Sequence, residues 1–324
     1  MTNYWKNRRV CVTGAAGFIG SHVVDALVAN GARVSAIVSP ATDKKKIKLN
    51  LGNHLDFLQI KKVDLLDIKQ VSRALKNHEI IYHFAALDGG NEYKRSHPAE
   101  IFTKNTMMTL NMLNAARIES VNKIFLMSSI EVYPQSLKGI IEETNTETST
   151  LPFEEGYSWA KRTSEVAAML YAYEYGMTVI IGRAGNIYGP RDYGKSDKSR
   201  VIPSFILKAL SNEDIYITTS KNRIIPFLFV EDFAKIAIQL IARQKSTEIF
   251  NIVSDRYISL NQLAELIVNL TKSTSKINFS QDEDLKDENR FFSINKLKSV
   301  INLSNTLLEK GIDKTIEHFK SDML

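Results

Sequence analysis

The stretch RRVCVTGAAGFIGSHVVDALVANG, residues 8–31, constrains the fold of this chain more than any other segment. A short apolar, β-branched run ends in Gly14, glycines recur at 17 and 20, and a run of helical spacing follows and closes at Gly31. A strand that feeds a helix through so short a turn opens a parallel-sheet unit, since the helix must carry the chain back over the sheet. In that context Gly14 makes the tight turn, Gly17 lets backbone approach a pyrophosphate, and Gly20 lets the helix pack closely. The helix start then offers free N–H groups and the positive end of its dipole to phosphate. Gly14, Ala16, Gly17, Phe18, Ile19 and Gly20 are therefore candidate dinucleotide contacts.

Alternation continues at the same pitch. Strands are predicted in 32–38, 56–65, 79–86, 122–129 and 177–189, with helices over 98–119 and 157–176, Pro98 in the first turn of the former and Gly176 closing the latter. The pattern predicts an α/β fold: a doubly wound, Rossmann-type parallel sheet covered on both faces, with ligands at its carboxyl edge. MTNYWKNRRV reads as the lead into the first strand. The second half is less regular. Gly189-Pro190 and the charged stretch 191–200 break the pattern, helices are predicted at 201–212 and 260–271, and 281–290 reads as a polar loop. We expect a dinucleotide-binding domain over 1–186 with a returning segment at about 226–256. A smaller α/β substrate domain is expected from 187–225 and 257–324.

Composition narrows the classes of function. Hydrophobic residues make up 44% of 324, enough for a sizeable core. No apolar run reaches the roughly 18 residues a membrane span needs, and no signal peptide is visible at the start. Cys11 is the single cysteine, which fits a cytoplasmic protein. The net charge of +6 suits an anionic small substrate, and Lys44-Lys45-Lys46 otherwise reads as a solvated helix start. No nucleic-acid motif and no metal-ligand set is assigned.

Two further features carry chemistry. The tip of the second predicted strand, Ile37-Val38-Ser39, lacks the carboxylate that holds an NAD ribose, while Ser39 and Thr42 stand near three lysines. This favours NADP over NAD. Asp64, followed by Leu65, is placed to meet the adenine amino group or to cap the helix beginning near Asp67. In GYSWAKR, Tyr157 and Lys161 stand four residues apart, on one face if the segment is helical.

TGAAGFIG, VDLLD, YHFAAL, SSIEVYP, YSWAK and GRAGNIYGPRD, in this order, resemble the extended short-chain dehydrogenase/reductases, and among them the NAD-dependent epimerase/dehydratase family acting on nucleotide sugars. The resemblance implies that Tyr157 is the proton-transferring phenol, its pKa lowered by Lys161 and the nicotinamide charge. Lys161 would also hold the nicotinamide ribose, and Ser129 would hydrogen-bond the reacting oxygen. Phe84, Ala85 and Ala86 would line the cofactor. Asn105 is matched to an asparagine supporting the tyrosine network, or else has a purely structural role. Asn186 and Arg290 are matched to contacts with the substrate's phosphates, for which an arginine fork is suited. The 4,6-dehydratases of the group carry an Asp-Glu pair after the serine. Here Ile130 stands at the Asp place and Glu131 remains as the candidate proton-abstracting carboxylate. Arg200 matches a basic position of the two-base epimerase/reductases and is too basic to exchange protons, so it is assigned to substrate holding. Many relatives carry an arginine where this chain has Ile225, and Arg223 is the candidate in its place.

The implied activity is a nucleotide-sugar epimerase or dehydratase working through a transient keto-sugar. Two alternatives stand: an NADPH-dependent reductase of a 4-keto nucleotide sugar, and a cofactor-binding regulator without catalysis. The resemblance also implies a homodimer formed through the helices at 98–119 and 157–176.

Overall fold

A computed structural model describes residues 2–146, 150–193, 200–220, 223–279 and 289–323. The chain opens with a helical turn, α1 (Thr2–Trp5), and not with strand. Trp5 drives this, because its fully buried ring packs beside Tyr82 under the sheet and the preceding turn must fold back to deliver it. The nucleotide-loop unit follows as β1 (Arg9–Thr13) and α2 (Phe18–Ala29), then β2 (Arg33–Val38), α3 (Lys44–Leu51), β3 (Leu58–Lys62), α4 (Ile68–Leu75) and β4 (Ile80–His83). Next come α5 (Gly90–Ser96), α6 (Pro98–Ile118), β5 (Lys123–Ser129), the short β6 (Ile140–Ile141), α7 (Gly156–Tyr175) and β7 (Thr178–Ala184).

The run at 177–189, predicted to start as a strand, divides at Gly185. β7 stays in the large sheet, whereas β8 (Asn186–Tyr188) leaves it for a smaller one. A Cβ at residue 185 would collide with the Val253 side chain, so only glycine fits where the chain changes sheets. Beyond it lie α8 (Val201–Leu210), β9 (Ile215–Ile217), β10 (Ile224–Phe229), α9 (Val230–Arg243), β11 (Glu248–Ile252), β12 (Tyr257–Ser259), α10 (Leu260–Thr271), β13 (Ile277–Phe279), β14 (Phe291–Phe292), α11 (Asn295–Val300) and α12 (Leu308–Met323). The 281–290 segment predicted as a loop falls mostly outside the described residues, as does most of 191–200.

The large sheet has seven parallel strands in the order β11-β7-β5-β4-β1-β2-β3. Its side chains alternate as a pleat requires. Val10 and Val12 face a core shared with α2 and α9, while Cys11 faces the opposite core under α4, α6 and α7. The strand order reverses between β1 and β4, and a crevice opens there at the carboxyl ends. A third core of Ile202, Ile206, Ile217, Leu263, Ile267 and Ile316 holds the smaller assembly together. β12, β10 and β8 form its three-stranded sheet over the crevice. Among the described residues no helix is long and apolar enough to cross a membrane.

Candidate active site

The glycine turn is built as a cradle. Gly14 has φ +64°, and a Cβ there would come within 2.9 Å of the Ala85 backbone nitrogen, where β1 and β4 part. A Cβ at Gly20 would run into the Gly14 carbonyl, so α2 seats directly on the turn. Gly17 precedes α2 with extended backbone and no side-chain cap, which leaves the first-turn N–H groups of Phe18 and Ile19 to a ligand's phosphate. These residues fit a dinucleotide. Ser39, at the tip of β2, is exposed, and its Oγ accepts from the Ala41 N–H at 3.3 Å. Asp43 is engaged as the cap of α3, accepting from the Lys45 N–H at 3.1 Å. Asp64 is not a helix cap. Asp67 caps α4 itself through the N–H groups of Lys69 and Gln70, while Asp64 accepts from the Leu66 N–H in a tight turn that exposes it beside buried Leu65. Phe84, Ala85 and the exposed Ala86 leave β4 along the opposite side of the crevice.

Asn105, buried on α6, does not reach Tyr157. Its amide donates to the Leu87 carbonyl at 2.9 Å and accepts from the Leu87 N–H at 2.7 Å, so it fixes the chain leaving β4. That chain runs into α5, which was not foreseen in the sequence. Gly89 and Gly90 both have positive φ and start it, and Tyr93, bonded to Glu100 at 2.6 Å, ties it to α6. Its single legible signal was charge order, with Glu92 in the first turn and Lys94 and Arg95 in the last. Seven residues are too few for apolar periodicity to register.

α5 delivers the site's unforeseen residue, Lys94. Its ammonium stands 3.8 Å from the centre of the Tyr157 ring, 3.0 Å from Asp88 and 3.5 Å from Glu131 Oε1. Tyr157 sits in the first turn of α7. Gly156 just before it abuts the Pro98 carbonyl so closely that no Cβ fits, which brings the two helices together at this point. One turn on, Lys161 donates to the Met127 carbonyl of β5 at 2.8 Å and lies 5.6 Å from the Tyr157 ring centre. Ser129 ends β5, and its Oγ accepts from the Glu131 N–H at 3.1 Å, setting the turn that presents Glu131. Tyr157, Lys161, Ser129 and Glu131 are thus brought together.

Apart from the nicotinamide charge, the protein's own groups set the electrostatics of Tyr157. Its pKa is raised well above the ordinary 10, first by burial and then by the carboxylates of Glu131 and Asp88, with Arg200 opposing. Lys161 does not offset this because it gives up its own proton before the phenol would. Lys161 is itself lowered to about 8, by burial and then by Lys94. In this geometry the phenol holds its proton and can donate it to a ketone oxygen. His83 is kept neutral, its pKa pushed to about 3 by burial and by Lys161.

Two adjoining cavities meet at these residues. The smaller, about 500 Å³, is lined by Tyr157, Ser129, Glu131, Lys94, Asn186 and Arg200. The larger, about 850 Å³, shares the first five and extends past Arg223, Ile225 and Arg290. Asn186 sits exposed on β8, donating to the Pro226 carbonyl at 3.5 Å. Arg200 bonds Asp192 at 2.9 Å and approaches Asp88 at 3.8 Å. Asp192 was not anticipated, and burial pushes its carboxyl up to about 6. The fork of Arg290 is already engaged, donating to the carbonyls of Tyr133 at 3.0 Å and Ile130 at 3.4 Å. Arg223 lines the same wall, and among the described residues no side-chain partner holds it.

Beneath the site lies a closed ionic network. Arg183 and Glu165 are both fully buried and paired at 2.8 Å. Every Arg183 donor nitrogen is engaged, by Glu165, Tyr133, Thr146 and the Glu143 carbonyl, and Ser128, next to the turn that presents Glu131, donates to Glu165 at 2.5 Å. The network locks β5, β7 and α7 in register below Ser129.

Comparison with known proteins finds relatives along nearly the whole chain. The model of the NAD dependent epimerase/dehydratase family matches residues 10–253. A dTDP-4-dehydro-6-deoxy-D-allose reductase of Streptomyces is 30% identical over 98% of this chain and 97% of its own. A UDP-N-acetyl-alpha-D-glucosaminuronate decarboxylase of Bacillus cytotoxicus is 29% identical over 97% and 98%. The solved UDP-N-acetylglucosamine 4-epimerase of Methanobrevibacter ruminantium M1, in complex with UDP-N-acetylmuramic acid, superposes with a TM-score of 0.88 at 26% identity, covering 98% of this chain and all of that one.

Proposed function

Because the chain belongs to the NAD-dependent epimerase/dehydratase family, we propose that it oxidises and re-reduces the sugar of a nucleoside-diphosphate sugar within one site, as an epimerase or dehydratase. The observation that carries this reading is the convergence of Ser129, Tyr157 and Glu131 at the junction of the two cavities, with Lys161 buried just behind, 5.6 Å from the Tyr157 ring centre. Ser129 and Tyr157 attend the oxygen that alternates between hydroxyl and ketone. Bound nicotinamide supplies the hydride acceptor and donor. Lys161 holds the β5 carbonyl edge and the cofactor ribose. Glu131 removes the proton on the carbon beside the ketone, which the ketone makes acidic. Asn186 and Arg223 hold the diphosphate, and Arg200 the sugar.

We favour NADP over NAD, on the absence of a strand-tip carboxylate and the nearness of Ser39 to the lysines that start α3. We also assign a homodimer. α6 and α7 pack together and expose Met107, Leu110 and Ile118 on one helix and Val166, Met169, Leu170 and Tyr173 on the other. The last four recur at helical spacing as one apolar stripe. The lone, buried Cys11 supports a cytoplasmic setting.

A second reading is the NADPH-dependent reductase of a 4-keto nucleotide sugar. A phenol held protonated favours it, as does the likeness to a reductase over nearly the whole chain. One experiment separates the two. Purified protein is denatured and any released nucleotide is identified by mass and stoichiometry. Near-stoichiometric NADP or NAD supports the recycled cofactor of the first reading. An empty protein that consumes added NADPH with a keto-sugar supports the second.

A further inference from the structure

Lys94 is the cation nearest to Glu131, and it stands where the two cavities join. Asp88 pairs with it at 3.0 Å, the chain leading into α5 is fixed by Asn105 with Leu87, and the middle of α5 is tied to α6 by Tyr93 with Glu100. Its position is therefore set by the fold. Groups acting on opposite faces of one carbon must each stand about 3–3.5 Å from it, hence roughly 6–7 Å apart. Glu131 and Lys94 are 3.5 Å apart, so they reach one face of a sugar, over neighbouring atoms.

We propose that Lys94 is the proton donor paired with Glu131, and that the pair carries out a β-elimination of a hydroxyl on one face of the sugar. This rests on the reading above that a ketone forms in the site. Glu131 takes the proton from the carbon beside the ketone. The C–H electron pair becomes a carbon–carbon double bond. The hydroxyl on the next carbon departs with the C–O pair, takes a proton from Lys94 Nζ and leaves as water. Glu131 is then protonated and Lys94 neutral. The proton crosses the 3.5 Å gap and restores both. A β-hydroxy ketone thus becomes an enone and water, with no outside oxidant or reductant. Inversion at a carbon is not the chemistry of this pair.

The test uses the full chain with dTDP-glucose, UDP-glucose and GDP-mannose as probes. Products lighter than the probe by one water (hydride returned) or by one water and two hydrogens (enone released) are counted by mass, and hydride transfer is followed separately by nicotinamide absorbance. The wild type loses water from at least one probe. Lys94→Ala slows that loss at least about 100-fold, and added methylamine or ethylamine restores it at a rate that tracks amine acidity. Lys94→Gln, which keeps the stem against Tyr157, shows the same loss if the first variant misfolds. Water loss unchanged in either variant, a loss that no amine restores, or a wild type that transfers hydride but releases no water overturns the inference and leaves the reading above standing. A wild type that transfers no hydride with any probe overturns both.

Discussion

Lys94 Nζ lies 3.8 Å from the centre of the Tyr157 ring, closer than Lys161 at 5.6 Å, although Lys161 is the lysine that Tyr157 accompanies in sequence. The phenol is thus covered by a cation from another element, while its own helix partner is directed to the β5 backbone. The consequences of this arrangement, and of the fold that holds it, are open to measurement.

Replacing Tyr157 by Phe removes the donor and keeps the ring under Lys94. Turnover of nucleotide sugar should fall by about 10²–10⁴-fold, with cofactor affinity, read by fluorescence titration, changed by less than a few fold. Survival of turnover would remove Tyr157 from proton transfer.

At Gly14 the side chain of alanine meets both a positive φ and the Ala85 backbone. Gly14→Ala should weaken cofactor binding by at least about tenfold, since every 1.4 kcal/mol is tenfold and left-handed backbone at a non-glycine residue costs on the order of 1 kcal/mol before any clash. Calorimetric titration with NADP and NAD checks it, and native affinity in the variant would count against the cradle.

Glu165 and Arg183 are both fully buried. Glu165→Gln leaves an uncompensated guanidinium and should cost about 3–5 kcal/mol in urea unfolding. Glu165→Gln with Arg183→Met should recover part of that loss. A double variant no more stable than the single one would show that the network's other bonds, to Tyr133 and Thr146, carry the stability.

His22 is buried and bonded to the Pro190 carbonyl at 2.9 Å, and burial pushes its pKa to about 4, with that bond and Asp25 opposing and Arg191 adding. The unfolded chain therefore binds more protons than the folded one between about 4 and the ordinary 6.5. Stability from this group is complete above pH 6.5 and is lost as pH falls to 4, on the order of 3 kcal/mol over the window. His22→Gln should flatten the fall in unfolding free energy between pH 7 and pH 4.5. An unchanged slope would assign the acid sensitivity to other groups, such as His83.

Leu170 and Tyr173 are 60% and 93% exposed on the apolar stripe of α7. Leu170→Glu should shift the particle from dimer to monomer in sedimentation without changing the circular dichroism spectrum. A wild type that sediments as a monomer would refute the assigned interface outright.

Much of this molecule was written locally. The glycines at 14, 17 and 20 declared the turn, the β-branched runs declared the parallel strands, and the spacing of Tyr157 and Lys161 placed both in one helix. Such features rest on backbone sterics and side-chain period, which act over a few residues, so the order of letters determines them. Long-range placement was not written there. That Lys94 stands against Glu131, 37 positions away, that Asp88 pairs with it, and that Arg290 holds the carbonyls of Ile130 and Tyr133 follow from how α5 and β14 dock. The charges that raise the Tyr157 pKa, those of Glu131 and Asp88, were not written there for the same reason. A pKa is set by burial and by every charge within a few ångströms, and only the tertiary structure decides which charges those are.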